Sequence, residues 1–248
     1  MISGANLILM QYFQKKMFCK VGLAFYWFLA NSALFIILLY MKKIFLFFAI
    51  IGLLNLTCKK AASPIVTPEV PTEKIIEIKT KFGNMYMWLY KQTPLHRANF
   101  LGLADTNYFD NTTFHRVIQN FVIQGGDPNS KDLDTTNDGD GGPGYMIPAE
   151  FIDSLKHDYG SVGAARDNNP AKSSDGSQFY IVTNKAGTHF LDKNYTVFGK
   201  IIAGMHVADS IAKMPKNASD RPYSDIKMDV NILNKTEEQL KTEFGFKP

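Results

Sequence analysis

The chain opens on two unbroken apolar runs. Val21 to Tyr40 is long enough to span a bilayer. Met41-Lys42-Lys43 interrupts it, and Ile44 to Leu56 follows, short for a membrane helix and about right for the apolar region of a secretory signal. Beyond Thr57 the pattern becomes short and mixed. Glu73 to Thr80 alternates in part and predicts a strand, Asn84 to Tyr90 predicts a second, and the turn Lys81 to Asn84 joins them as a hairpin. Thr93 reads as an N-cap and Pro94 as the first residue of a helix running to about Leu103, with Leu95, Ala98 and Leu101 at three-residue spacing. Thr113–Ile118 and Phe121–Gln124 are strand-like, and a Gly, Asp and Asn-rich loop fills Gly125 to Gly144. Ser177–Thr183, Thr196–Ile202 and Ile226–Leu233 predict further strands. Between the last two, His206 to Met214 predicts a helix with Val207, Ala208, Ile211 and Ala212 buried, stopped by Pro215. Many short strands with few helices predict a barrel or a sandwich, not a parallel sheet.

This pattern divides the chain. Residues 1–40 read as an over-extended N-terminus or a membrane segment, and 41–58 as a signal segment. Residues 59–71, with three prolines, read as a semi-extended linker. A folded body occupies 72–234 and a tail 235–248. The segment from Met41 resembles a bacterial lipoprotein signal, in which Cys58 would receive lipid and become the new N-terminus. It departs from the usual pattern at Asn55 and Thr57, although Leu54 and Leu56 lie close by. The competing reading is an uncleaved anchor at 21–40 or across both runs. In either case the body is tethered to a membrane and faces the periplasm or exterior.

Composition narrows the possibilities. The chain has 248 residues, 46% hydrophobic and 20% charged, which excludes a wholly disordered, collagenous or disulfide-scaffold protein. The net charge of +4 belongs to the leader, which carries five lysines and no acid in its first 58 residues. The remainder has 22 basic and 23 acidic side chains, so a nucleic-acid partner is not expected. Cys19 and Cys58 are both in the leader, and a body without cysteine suits an oxidising compartment.

Most candidate chemistry is weak. His96, His115, His157, His189 and His206 are scattered without ligand spacing, so no zinc site is expected. Asp134 to Gly139 faintly echoes a calcium loop but has Tyr145 where the bidentate acid belongs, and reads as a solvated loop. No nucleophile elbow, phosphate loop or dinucleotide fingerprint occurs. One stretch differs: Phe114 to Asp127 (FHRVIQNFVIQGGD) sets Arg116 and Gln124 among apolar residues. In strand geometry Val122 and Gln124 share a face. A cation beside a half-buried apolar stretch is costly unless it has partners or work to do. A structural hydrogen-bond network would satisfy it equally well.

That stretch resembles the signature of the cyclophilin family of peptidyl-prolyl cis-trans isomerases. Gly176 to Ile181 (GSQFYI), Leu191-Asp192 and Val197 to Lys200 (VFGK) resemble its later blocks, in order, and the likeness covers roughly residues 72–234. It implies a mainly β fold, a closed eight-stranded antiparallel barrel capped by two α-helices, and isomerisation of X-Pro bonds without metal or cofactor. Arg116 matches the family's catalytic arginine, and Gln124 the glutamine that binds substrate backbone and helps hold it. Phe121, Val122, Tyr180 and Leu191 match the apolar pocket for the proline ring. Ala165, and Arg166 through its backbone, match the segment that pairs with an extended substrate. Phe179 is expected in the core, and His115 as structural support. The chain departs from common family residues at Val122, Tyr180, Phe190 and Tyr195, the last two being counted with the substrate-binding set, and its loop Lys131–Pro143 is longer than usual. The expected partners are proline-containing, unfolded or extended exported polypeptides, met by a monomer. The alternative function is a tethered proline-peptide binding module or holdase with little turnover.

Overall fold

The computed structural model describes residues 70–248. The two apolar runs, Cys58 and all but the last residues of the linker lie outside the described residues. Among the described residues, no helix is long and apolar enough to cross a membrane.

Strands β1 (Thr72–Thr80) and β2 (Gly83–Leu89) form the expected hairpin, paired from Thr80↔Gly83 to Ile75↔Trp88. The tight turn needs Gly83, whose φ is +124°. The Thr80 hydroxyl donates to the Gly83 carbonyl at 2.9 Å and accepts from the Phe82 amide at 3.1 Å. Alternation along β2 sends Met85, Met87 and Leu89 into the core and Tyr86 and Trp88 to the other face.

Helix α1 (Pro94–Asp105) starts at Thr93, but the Thr93 side chain does not cap it. The Glu150 carboxylate does so from across the fold, accepting from the Leu95 and His96 amides at 3.0 Å each. An anion there suits both the free amides and the helix dipole. The buried face of α1 is His96, Phe100 and Ala104, four residues apart and not on the three-residue spacing read in the sequence, and Leu95 and Ala98 are exposed. Phe100 stacks on Phe109 at 4.6 Å and meets Phe179 and Phe198 at 5.5 and 5.7 Å. Each such ring contributes about 2–3 kcal/mol on burial, so this cluster, more than any surface pairing, seats α1 on the sheet.

The remaining strands are β3 (Thr112–Thr113), β4 (Arg116–Val117), β5 (Val122–Gly125), β6 (Met146–Ile147), β7 (Ser161–Ala164), β8 (Ser174–Asp175), β9 (Phe179–Val182), β10 (Val197–Ala203) and β11 (Lys227–Thr236). Helix α2 spans Met205–Ile211, and Val207, Ala208, Ile211 and Ala212 are buried as the sequence predicts. Helix α3 spans Glu237–Phe244. Nine strands form one curled antiparallel sheet in the order β3-β11-β1-β2-β10-β7-β9-β5-β4, and β6 pairs with β8 apart from it.

Two expectations need correction. The closed eight-stranded barrel is replaced by a nine-stranded sheet whose edge strands, β3 and β4, are not paired to each other. They were expected as one strand, but the chain kinks at Phe114 and His115. Phe114 then bonds Ile226 at 3.0 Å, and Val117 bonds Asp220 at 2.9 Å. Among the described residues there are also three α-helices, not two. Residues 235–248 were read as a tail, yet Thr236 caps α3 in a capping box with Gln239, and Gly245 ends it with φ +62°. Phe244 and Phe246 then cover the outer face of β2, at 4.7 Å from Tyr86 and 5.4 Å from Trp88.

Candidate functional site

Two adjacent rows of residues cross β4, β5, β9 and β7. Val117↔Ile123↔Ile181↔Val162 is fully buried and belongs to the core. The neighbouring row, Arg116↔Gln124↔Tyr180↔Gly163, faces the opposite way because strand side chains alternate. Arg116, Gln124 and Tyr180 of this second row line the floor of a slot of about 160 Å³, with Gly163 beneath the Tyr180 ring. Gly163 is required there. A Cβ at this position would stand 2.4 Å from Cζ of Tyr180, so the Tyr180 ring occupies the space that a side chain would take.

Val122, Ala165, Tyr180 and Val182 form a small apolar cluster of their own, with Phe121, Leu191 and Tyr195 packed against it. Leu191 comes from a single 3-10 turn, His189–Leu191, and Tyr195 follows it with its amide bonded to the Leu191 carbonyl at 3.1 Å. Arg166 stacks its guanidinium on Tyr195 at 4.7 Å and donates to the Asn194 carbonyl at 2.8 Å. Its side chain therefore lines the slot, where the sequence reading gave a role only to its backbone.

The structure gathers Arg116, Phe121, Val122, Gln124, Ala165, Arg166, Tyr180, Leu191 and Tyr195 around this one slot. Phe190 is not brought into it. Its side chain is 70% exposed and stacks on Phe121 at 5.7 Å, outside the slot wall. The turn that packs the partly buried Leu191 against the cluster leaves its neighbour facing solvent.

Arg116 is a half-exposed cation whose nearest carboxylate among the described residues is that of Asp220. Its Nε lies 4.0 Å from an Asp220 oxygen, while Lys216 holds the other carboxylate oxygen at 2.7 Å. Its Nη1 donates to Gln124 Oε1 at 3.4 Å, and its Cζ lies 5.9 Å from the Phe121 ring centre. Gln124 Nε2 donates to Gln178 Oε1 at 3.0 Å, and Gln178 Nε2 donates to the Gly139 and Gly141 carbonyls at 2.8 Å. Gln178 thus braces Arg116 through Gln124 and ties both to the long loop. The sequence reading missed it, although it lies inside the quoted GSQFYI block.

The same loop is pinned by Asp127, fully buried, whose carboxylate accepts from the amides of Asn129, Gly139 and Gly141. Asp134 bonds Thr136, and Asp138 accepts from Arg221 Nε at 2.7 Å, so these acids hold the loop's shape. Among the described residues, no three His, Cys, Asp or Glu side chains gather as a metal site.

Two titratable side chains beside the slot are held neutral. Burial pushes His115 down to about 4; Arg221 and Arg116 act in the same direction, and Asp127 opposes them. Burial raises the Tyr180 hydroxyl well above its usual value, so it stays protonated. The arrangement offers an apolar recess for a ring and a permanent hydrogen-bond-donating cation at its side, with no nucleophile or general base among them.

Comparison with known proteins gives one answer. A family model described as cyclophilin type peptidyl-prolyl cis-trans isomerase/CLD matches residues 75–231. A peptidyl-prolyl cis-trans isomerase-like 3 of Dictyostelium discoideum is 38% identical over 155 residues, 61% of this chain and 89% of that one. A peptidyl-prolyl cis-trans isomerase of Acinetobacter baylyi is 32% identical over 185 residues, 68% of this chain and 92% of that one. The crystal structure of a Cryptosporidium parvum cyclophilin type peptidyl-prolyl cis-trans isomerase matches with a TM-score of 0.58 at 31% identity, covering 66% of this chain and 99% of that one. A second structure of that protein, obtained in the presence of the dipeptide Ala-Pro, matches with the same TM-score.

Proposed function

Because this chain belongs to the cyclophilin family of peptidyl-prolyl cis-trans isomerases, we propose that its slot seats a proline ring and that Arg116 catalyses rotation of the preceding peptide bond. The barrier to that rotation is amide resonance, about 18–20 kcal/mol, and the uncatalysed step takes on the order of tens to hundreds of seconds. No bond breaks. The catalyst must bind the twisted amide better than either planar form. In the twisted form the proline nitrogen is pyramidal and carries a lone pair. A fixed guanidinium donating a hydrogen bond to that nitrogen stabilises the twisted form selectively, because the planar amide nitrogen has no lone pair to offer.

The observation that carries this reading is the position of Arg116 on the row with Gln124 and Tyr180, beside the apolar cluster and, among the described residues, with no carboxylate closer than 4.0 Å. Gln124 holds the guanidinium and binds substrate backbone. Phe121, Val122, Tyr180 and Leu191 receive the ring, with Ala165, Arg166 and Tyr195 along the extended peptide and Phe190 at the rim.

The same reading takes residues 72–234 as the isomerase domain, held by the 59–71 linker on a membrane anchor, either lipid on Cys58 or an uncleaved apolar segment. Its clients are then exported or envelope polypeptides. The run Ile44 to Leu56 followed by Cys58, and a body free of cysteine, support this placement. Intact mass of the membrane-extracted protein distinguishes a lipidated Cys58 from an uncleaved chain.

The catalytic reading is tested by cis-to-trans conversion of a short proline peptide, with Arg116→Ala as control. A rate above background that falls with the substitution supports it. Saturable peptide binding at a background rate would instead identify a binding module.

A further inference from the structure

His157 lies behind the slot, 1% exposed, and takes no part in the mechanism above. Every polar atom it owns is used to join two walls of the slot. Its ring Nδ1 is 2.7 Å from Asp192 Oδ1, and its backbone amide donates to the same oxygen at 3.0 Å. Its carbonyl accepts from the Thr188 amide at 2.8 Å. Its Nε2 is 2.9 Å from the Tyr180 hydroxyl, and the two rings stack at 6.0 Å with an interplanar angle of 15°. Thr188 and Asp192 bracket the turn that carries Leu191, while Tyr180 is the slot's floor.

One proton arrangement satisfies all these contacts. An ionised Asp192 accepts from Nδ1–H, leaving Nε2 as an acceptor for the Tyr180 O–H. Burial lowers His157 and Asp192 opposes this, in keeping with a neutral ring. Burial pushes Asp192 up, but the hydrogen bonds from His157 outweigh it and hold the carboxyl below its usual value. The Tyr180 hydroxyl is thereby occupied away from the slot. Without that acceptor, a nearly buried hydroxyl would have to turn elsewhere for a partner and carry the ring with it.

We propose that His157 is a positioning residue: through Asp192 and the Tyr180 hydroxyl it fixes the floor ring against the Leu191 turn, and so sets how tightly the proline ring is held. The proposal rests on the reading of the slot as the proline site. It assigns His157 an effect on substrate binding and none on the rotation step, since its hydrogen bonds go to Asp192, Thr188 and Tyr180 and not to Arg116 or Gln124.

The test uses the full chain in mild detergent with a proline peptide, comparing wild type, His157→Asn, Tyr180→Phe and the double variant. Asn keeps a donor for Asp192 and loses the reach to Tyr180, so the hydroxyl is orphaned. His157→Asn should raise KM about fivefold or more while kcat stays within about twofold. Tyr180→Phe added to it removes the orphaned hydroxyl and should return KM most of the way to wild type, a rescue that a merely structural histidine would not show. The proposal is overturned if His157→Asn leaves KM unchanged, if kcat falls in step with it, or if the two substitutions simply multiply. Should His157→Asn not fold, His157→Ser, which also leaves the Tyr180 hydroxyl without its acceptor, is compared with and without Tyr180→Phe by the same criteria. If wild type itself gives no rate, the isomerase reading fails separately, and peptide dissociation constants of the same variants, read by NMR titration, judge the His157 role by the same pattern.

Discussion

Arg116 and Gln124 face each other across β4 and β5, and the Gln124 amide spans from the Arg116 guanidinium at 3.4 Å to Gln178 at 3.0 Å. The guanidinium is therefore aimed by a glutamine that is itself held by a second glutamine anchored on the Gly139 and Gly141 carbonyls. Replacing Gln178 by Leu frees Gln124 to rotate without removing a slot residue. We expect kcat/KM to fall about tenfold, with Arg116 still present. Peptide isomerisation kinetics check this, and an unchanged kcat/KM would show that Gln124 needs no brace.

Gly163 makes room for the Tyr180 ring, with 2.4 Å between a would-be Cβ and Cζ. Gly163→Ala must displace that ring or bend β7. Overpacking of this kind costs about 1–3 kcal/mol, and the displaced ring should also weaken peptide binding. Thermal melts and peptide titration should shift together; a loss in one alone would separate the slot floor from the fold.

Acid should destabilise the domain early. His96, His115 and His157 are all held below the usual histidine value by burial, His115 at about 4. Between that value and the unfolded value of about 6.5, the unfolded chain binds protons that the folded chain refuses, so stability rises with pH there and falls as pH drops. For His115 alone the full loss is on the order of 3 kcal/mol. The Asp192 and Asp209 carboxyls, held low, act only below their ordinary range and so outside this window. Urea unfolding at pH 7, 6 and 5 should show the decline, and His115→Gln should flatten it.

Thr236 and Gln239 close a capping box on α3. Thr236→Ala should cost about 1 kcal/mol and loosen Phe244 and Phe246 from Tyr86 and Trp88. Trp88 fluorescence should shift toward that of a wetter indole, while isomerase activity is unaffected, because α3 covers the face of β2 remote from the slot row.

The sequence was most legible where one physical signal dominated. The β1–β2 hairpin followed from alternation and Gly83, and the buried stripe of α2 from its spacing and Pro215. Strand β7 was missed because Ser161, Gly163 and Ala164 carry almost no apolar signal, and Gly163 is there to admit the Tyr180 ring. The cap of α1 was misassigned because Glu150 is distant in sequence, and no local pattern reveals a tertiary cap. Helix α3 was legible in principle, since Thr236, Gln239 and Gly245 mark its two ends. At the slot, the family resemblance assigned Arg116 and Gln124 their roles, while their pairing across β4 and β5 was not read from the sequence. Gln178 and His157 act through other residues, and only register and hydrogen bonding identify them.

The central claim is that the Arg116 guanidinium acts on the twisted amide and not on the resting peptide. Arg116→Lys keeps the charge and loses the fixed planar donor geometry. The decisive measurement is the dissociation constant of a proline peptide alongside its isomerisation rate, both for wild type and this variant. The account predicts a dissociation constant within about threefold of wild type and a rate lowered by about a hundredfold or more. A rate and an affinity that fall by the same factor, or a lysine variant as fast as wild type, would contradict it.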